Sequence, residues 1–506
     1  MTATVLDEDF DNYSYIAGID FGTTFSGCSC VYTKDSTDEI FDITDWPNRG
    51  GYIYPKVPTV LLYEQNSKRV LAWGNDAIWR AKRPNCTAVL IDNFKLLLDH
   101  SQKHSTLPNG LTVIEVISDY LREFKLYIHT YFESKLGAVY DASKFRYCLT
   151  VPAIWDDEAK AIMREAAILA GIINRRDHPD RLILTSEPEA ASLYCEKKLG
   201  QFNLTHGQRF MICDAGGGTV DLIVFEIDAS SGPKFLREVT KGSGSTCGST
   251  FLDKNMRDLM KKRFGNYADS SKDVIDNLLE HFVSSTKPQF DNEDDEFFIL
   301  PISLNPTEIM LSDIGIVDGR IQVTVDELRE DVFKPVVKQV LDLISDQIDQ
   351  SQAHIDAIFL VGGFGQSSRG ELAVVRGAVI SGVDPNKITH RILRRTYGIC
   401  VDSIFDPFKD PHEKRYVDHD GVPRYLFVYD FDGSSPRYTT DVGVRKAVRS
   451  SGEAPIFPGV EQGEKVYFTT NMYFGRTEIM IEILIKDKKI IHTSDFVSHE
   501  LEKLIG

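Results

Sequence analysis

Residues Phe210–Ile227 read FMICDAGGGTVDLIVFEI, apolar up to Asp214, turning through Gly216, Gly217, Gly218 and Thr219, and apolar again after Asp221. This is the pattern of a β-hairpin with a polar tip. Three successive glycines allow positive φ and bring the backbone up to a ligand with no Cβ in the way, so that amide N–H groups can face phosphate oxygens. Thr219 adds a hydroxyl donor. The carboxylates of Asp214 and Asp221 would repel phosphate, and they make sense at the same tip when a hydrated Mg2+ stands between them and a nucleotide. For the three glycines taken alone, an ordinary glycine-rich turn is the plain alternative.

The tip occurs twice. Tyr15–Tyr32, YIAGIDFGTTFSGCSCVY, places Asp20, Gly22, Thr23 and Thr24 in the same order of apolar strand, Asp, Gly, Thr and returning strand. Two such hairpins in separate halves of a chain imply an internal duplication that closes on one polyphosphate from both sides. A third segment, Ile358–Ser368, is an apolar strand running into Gly362, Gly363 and Gly365 (IFLVGGFGQSS) ahead of an expected helix.

In this order the three segments resemble the phosphate-1, phosphate-2 and adenosine motifs of the actin, sugar-kinase and heat-shock ATPase superfamily. Two further stretches, Leu149–Gly171 (LTVPAIWDDEAKAIMREAAILAG) and Ser186–Tyr194 (SEPEAASLY), narrow the resemblance to the seventy-kilodalton heat-shock chaperone family. The resemblance implies an α/β chain with a duplicated actin-like ATPase domain over residues 1–404, with lobes over about 13–200 and 201–404. A linker at 405–423 and a β-rich module at 424–506 follow, the module read from the alternation of Ile479, Ile481, Ile483 and Ile485.

By the same resemblance Asp20 and Asp214 would hold Mg2+ through water, and Asp221 and Glu187 would position the attacking water or the metal shell. Gly22, Thr23, Thr24, Gly216, Gly217, Gly218, Thr219 and Gly248 would face phosphates, and Gly362 and Gly363 would pass beneath the adenosine of ATP or ADP. Pro152 and Lys160 stand where the family relays nucleotide state between domains. For Glu187 a structural role at the positive end of a helix is the competing reading.

The departures are specific. The family's catalytic lysine lies in a GDAAK segment, and the matching GNDAIW places Trp79 there, with Lys82 and Lys160 as substitutes and core packing as the expected role of the indole. FGQS at Phe364–Ser367 replaces the family's Gly-Ser-Thr-Arg, and the carboxylate expected near Ile392 is absent. No triplet in Phe282–Phe290 supplies the adenine clamp, and neither the family's acidic-aliphatic interdomain linker nor a helical lid is found. These features resemble the divergent heat shock 70 kDa protein 12-like branch.

Composition narrows the alternatives. A net charge of −18 argues against a nucleic-acid or anionic-membrane surface. No apolar run reaches the roughly 18 residues of a membrane span, and the acidic start of the chain has no signal-peptide core, so a cytoplasmic location is expected. The eight cysteines have no CxxC or His/Cys spacing and read as reduced core residues. Lys241–Asn255 nearly matches GxGxxG, but Cys247 occupies the third glycine position, which rejects a dinucleotide site. The leading reading is an ATP-binding, nucleotide-switched, chaperone-like protein with slow ATP hydrolysis and protein clients or regulators as partners. The competing readings are a non-catalytic ATP-sensing scaffold and a small-molecule kinase of the same superfamily.

Overall fold

The computed structural model describes residues 13–34, 39–48, 54–99, 107–198, 204–230, 234–269, 271–290, 295–299, 314–317, 320–365 and 372–392, with short segments between 398 and 493. By compactness the chain divides into two units. One holds Asp9–Trp155 and Met163–His390, and the other includes Asp156–Ile162 and the residues from Arg391 onward.

The first unit is built on two sheets of matching topology. In the first, Tyr15–Phe21 pairs antiparallel with Phe25–Tyr32 and parallel with Phe145–Val151, which pairs in turn with Leu182–Ser186. In the second, Arg209–Ala215 pairs antiparallel with Val220–Asp228 and parallel with Ala357–Val361, while Phe235–Glu238 continues the meander. Each sheet thus opens on a hairpin whose first strand later receives a parallel neighbour, the duplication implied by the repeated tips. Tyr15–Phe21 and Phe145–Val151 are buried along their whole length, which is why they read as near-continuous apolar runs rather than as alternating ones.

Helices cover the sheets where the sequence allows contact. In Val113–Leu136, Val116, Ile117, Tyr120, Leu121 and Phe124 are buried, as their 3.6-residue spacing requires. Asp156 caps the helix that includes Asp157–Leu169, accepting the Ala159 N–H at 2.9 Å. Gly171, at φ +74°, ends it with Ile172 N–H bonded to Ala167 C=O, a Schellman closure. Ala373–Val383 lies on the first sheet, since a Cβ at Gly18 would fall 2.6 Å from Val375 O and one at Gly382 2.4 Å from Ile16 Cγ2. Gly377 of the same helix meets Glu187–Lys198 so closely that a Cβ would fall 1.6 Å from Ala190 O.

The Thr-x-x-Glu spacing of Thr324 and Glu327 predicts a capping box, and both of its hydrogen bonds are present. Pro335 lies inside the unbroken helical run that this box starts, which extends to Ser351, and the run is distorted just ahead of the proline. The turn before it, Leu328–Phe333, widens to π geometry, and the α-helix Lys334–Ser351 starts around the proline. The wider turn accommodates the hydrogen bond that the proline cannot donate.

Six cysteines, Cys28, Cys30, Cys148, Cys195, Cys213 and Cys247, are buried free thiols, and Cys86 is exposed. Burial pushes the Cys30 and Cys213 thiols up to about 12, which keeps them protonated and inert. Toward the C-terminus, Gly398–Ile404 pairs with Pro423–Asp430, which also receives Tyr416–Val417 from the stretch expected as a linker. Phe468–Tyr473, Met480–Ile485 and Lys488–Thr493 form a three-stranded meander. Ile479, and the burial of the face that alternates with it, lie outside the described residues. Among the described residues no helix is long and apolar enough to cross a membrane.

Candidate functional site

The two hairpin tips meet. In the second hairpin Asp214 stands directly opposite Asp221, and the turn closes with Gly216 N–H bonded to Thr219 C=O at 2.9 Å. A Cβ at Gly217 would fall 2.4 Å from Thr24 Oγ1, and one at Gly218 would fall 2.5 Å from Thr23 Oγ1 and 2.7 Å from Leu96 Cδ2. The expectation of positive φ is corrected here: φ is positive at none of Gly22, Gly216, Gly217 and Gly218. These glycines are required by close approach instead, Gly22 because a Cβ would fall 2.2 Å from Phe25 O.

Gly248 closes over the triplet. Its N–H bonds Gly218 C=O at 3.1 Å, while Ser249 and Thr250 donate to the carbonyls of Gly216 and Gly217. A side chain at Gly248 would strike Gly217 O at 2.5 Å. Gly362, at φ +85°, lies against the same hairpin, where a Cβ would fall 2.5 Å from Asp214 Oδ1, whereas among the described residues nothing lies within 4 Å of a Cβ built on Gly363. The strand Ala357–Val361 therefore leads into one glycine that is packed and one that no described residue crowds.

Asp20, Asp214, Asp221 and Glu187 are all buried at this place, at 4%, 5%, 0% and 8% exposure. Two lysines share it. Lys56 Nζ donates to Asp20 Oδ2 at 2.8 Å, and Lys95 Nζ donates to Glu187 Oε1 at 2.6 Å and to Phe21 C=O at 2.5 Å. Thr150 Oγ1 donates to Asp20 at 3.1 Å, and the Ile154 N–H donates to Asp221 Oδ1 at 3.0 Å. Asp221 thereby ties the second hairpin to the segment just after Pro152.

Burial, together with the charges of Glu187, Asp20 and Asp221, pushes the Asp214 carboxyl well above the carboxylate range, against the pull of Lys56. Burial also raises Glu187 despite Lys95 beside it, with Asp20 adding to the rise. Burial alone would lower the Lys56 ammonium, but its Asp20 partner and then Asp214 raise it instead. With all six groups ionised, four carboxylates face two ammoniums, a surplus of two negative charges that suits a divalent cation. Among the described residues no three His, Cys, Asp or Glu side chains are grouped to ligate a metal directly.

The lysine question resolves differently from the sequence reading. Trp79 is 64% exposed under the Arg83 guanidinium, which stands 4.7 Å from its ring, so it is neither a core residue nor a member of this cluster. Lys82 pairs on the surface with Glu280 at 2.5 Å, and Lys160 lies 3.7 Å from Asp157. The cluster's cations are Lys56 and Lys95, which the motif comparison missed. Each is a single lysine set beside an apolar run, in KVPTVLLY and NFKLLL, and that placement was the available signal for a buried, paired ammonium.

The model of the family described as Hsp70 protein matches residues 115–369, half of the chain. The chain belongs to the Hsp70 family. It is 25% identical over 529 residues to the human heat shock 70 kDa protein 12A, covering 83% of this chain and 76% of that one. Against human heat shock 70 kDa protein 12B the identity is 25% over 512 residues, with coverage of 80% and 74%. The chaperone protein DnaK of Ureaplasma parvum is 30% identical over 228 residues, 44% of this chain and 32% of that protein. Similarity running over most of the chain for the 12A and 12B proteins places this Hsp70 in the divergent 12-like branch. The matched halves described above are the actin-like ATPase fold of the family.

Proposed function

We propose that this Hsp70-type protein binds ATP and ADP with Mg2+ at the junction of its two hairpin tips and uses nucleotide occupancy as a conformational switch. The observation that carries this reading is the meeting of Thr23 and Thr24 with Gly217 and Gly218 above a buried cluster of four carboxylates and two lysines. In this reading Gly22, Thr23, Thr24, Gly216, Gly217, Gly218, Thr219 and Gly248 bind phosphates, and Gly362 and Gly363 pass beneath the adenosine. Asp20 and Asp214 hold the hydrated metal, with Asp221 and Glu187 ordering the surrounding water. Mg2+, when bound, neutralises phosphate charge and fixes its orientation.

Lobes over about 13–200 and 201–404 would each contribute one tip, so a state that contacts the phosphates from both sides binds ATP more tightly and gains population when ATP is present. Hydrolysis in this scheme is slow, and the protein acts in the cytoplasm on protein clients or regulators. A titration with ATP in Mg2+ and in EDTA, run beside a phosphate-release assay, tests the reading. Saturable binding that weakens at least about tenfold in EDTA and in Asp214→Asn is expected, from loss of charge-assisted contacts. Phosphate release separates a hydrolysing switch from the scaffold reading, and absence of ATP binding by the wild type would refute the proposal.

A further inference from the structure

We infer that Lys56 is the residue whose ammonium meets the nucleotide phosphates in this protein, delivered by strand Lys56–Pro58 rather than by the helix Gly74–Ala81 that carries Trp79. The inference rests on the nucleotide reading above. Its geometric basis is a row across three strands, because Asp20 stands opposite Gly27 and Gly27 opposite Lys56. The middle position has no side chain. The lysine stem crosses it, with Cγ at 3.2 Å from where a Gly27 Cβ would stand, and the ammonium reaches Asp20 at 2.8 Å. A larger residue at the middle of the row would stand in the path of that stem.

Burying an ammonium is costly unless it is paired. Lys56 is only 9% exposed, and its charge acts on Asp20, Asp214 and Glu187 alike. It is thus placed among the carboxylates, next to the Phe21–Thr24 turn that the first hairpin presents to the second. Lys95 has a different setting. It is 3% exposed, two of its three N–H donors are taken by Glu187 and the Phe21 carbonyl, and the rings of Phe21 and Trp155 flank it at 5.6 and 5.3 Å. That is a clamp fixing Glu187 to the first hairpin. Lys82 and Lys160 have carboxylate partners of their own, Glu280 and Asp157. When polyphosphate enters between the tips, its negative charge draws the Lys56 ammonium into a bridge between Asp20 and phosphate oxygen, a charge-assisted contact that adenosine cannot make.

Calorimetric affinities for ATP, ADP and adenosine in the full chain test this. Lys56→Met is expected to lower ATP and ADP affinity on the order of 10- to 100-fold while leaving adenosine binding unchanged, and Lys56→Arg to restore most of the loss. Because Lys56→Met alone strands a buried Asp20 carboxylate, the same substitution is made in an Asp20→Asn background and compared with Asp20→Asn alone, in EDTA. There the ammonium has no carboxylate to satisfy, and a further loss of about tenfold or more in ATP affinity alone supports phosphate contact. Equal ATP affinity with and without Lys56 in that background overturns the inference while leaving the site intact. A wild type that binds no ATP overturns the nucleotide reading and this inference together.

Discussion

A carboxyl group opposite Asp221 and within electrostatic reach of Glu187 and Asp20 is costly to ionise, and at Asp214 that cost is carried by the folded protein. Its folded pKa lies well above the ordinary 3.8, so protonation favours the fold. The resulting stability is complete below the ordinary value and is lost as pH rises through the raised folded value. Asp214→Asn removes the ionisation. Without nucleotide, the variant is expected to melt higher than the wild type at pH 7.5, by about 1 kcal/mol of stability, with the gap closing as pH falls towards 4. Thermal melts of both proteins across that range check the sign. A variant less stable than the wild type at neutral pH would mean that the Asp214 carboxylate is stabilised by its surroundings. The same substitution is expected to weaken Mg-ATP, so stability and binding move in opposite directions at this residue.

At the scale of elements, much was legible because local chemistry and fold agree. A cap at Asp156 or Asp157, of which the structure uses Asp156, the Gly171 closure and the Thr324–Glu327 box were readable from residue type and spacing. The hairpins were readable as well, because their apolar runs converge on polar tips. The reason for the tip glycines was not, since the atoms that exclude a Cβ at Gly217 and Gly218 come from Thr24, Thr23 and Leu96, far away in sequence. Lys56 and Lys95 were missed for a related reason: each reaches its carboxylate across 36 and 92 residues respectively, and no local motif encodes such a pairing. Trp79 was misread because the helix Gly74–Ala81 turns that position outward, to 64% exposure. Gly377 offers a direct test of element packing. Gly377→Ala must push apart helices whose backbones are in contact, and it is expected to cost about 3 kcal/mol, read as a lowered denaturant midpoint. An unchanged midpoint would show that the crossing is looser than described.

At the scale of the whole molecule, the proposed ATP site depends on duplication. Two sheets of the same topology each raise an Asp-bearing hairpin, and a third strand of the second sheet adds Gly362 beside Asp214 and Gly363 where no described residue crowds it. The similarity to the 12A and 12B proteins extends over four-fifths of the chain, so it takes in sequence beyond the three nucleotide motifs. Assembly of one ATP site from these motifs is tested at Gly363, because among the described residues nothing lies within 4 Å of the Cβ that a substitution would add. Gly363→Val should therefore leave the melting temperature of the nucleotide-free protein close to that of the wild type. Calorimetric titration with Mg-ATP is then the deciding measurement. Saturable binding by the wild type and a loss of affinity of at least about tenfold in Gly363→Val, from steric exclusion of the adenosine, are expected. Equal ATP affinity in the two proteins would contradict assembly of that site.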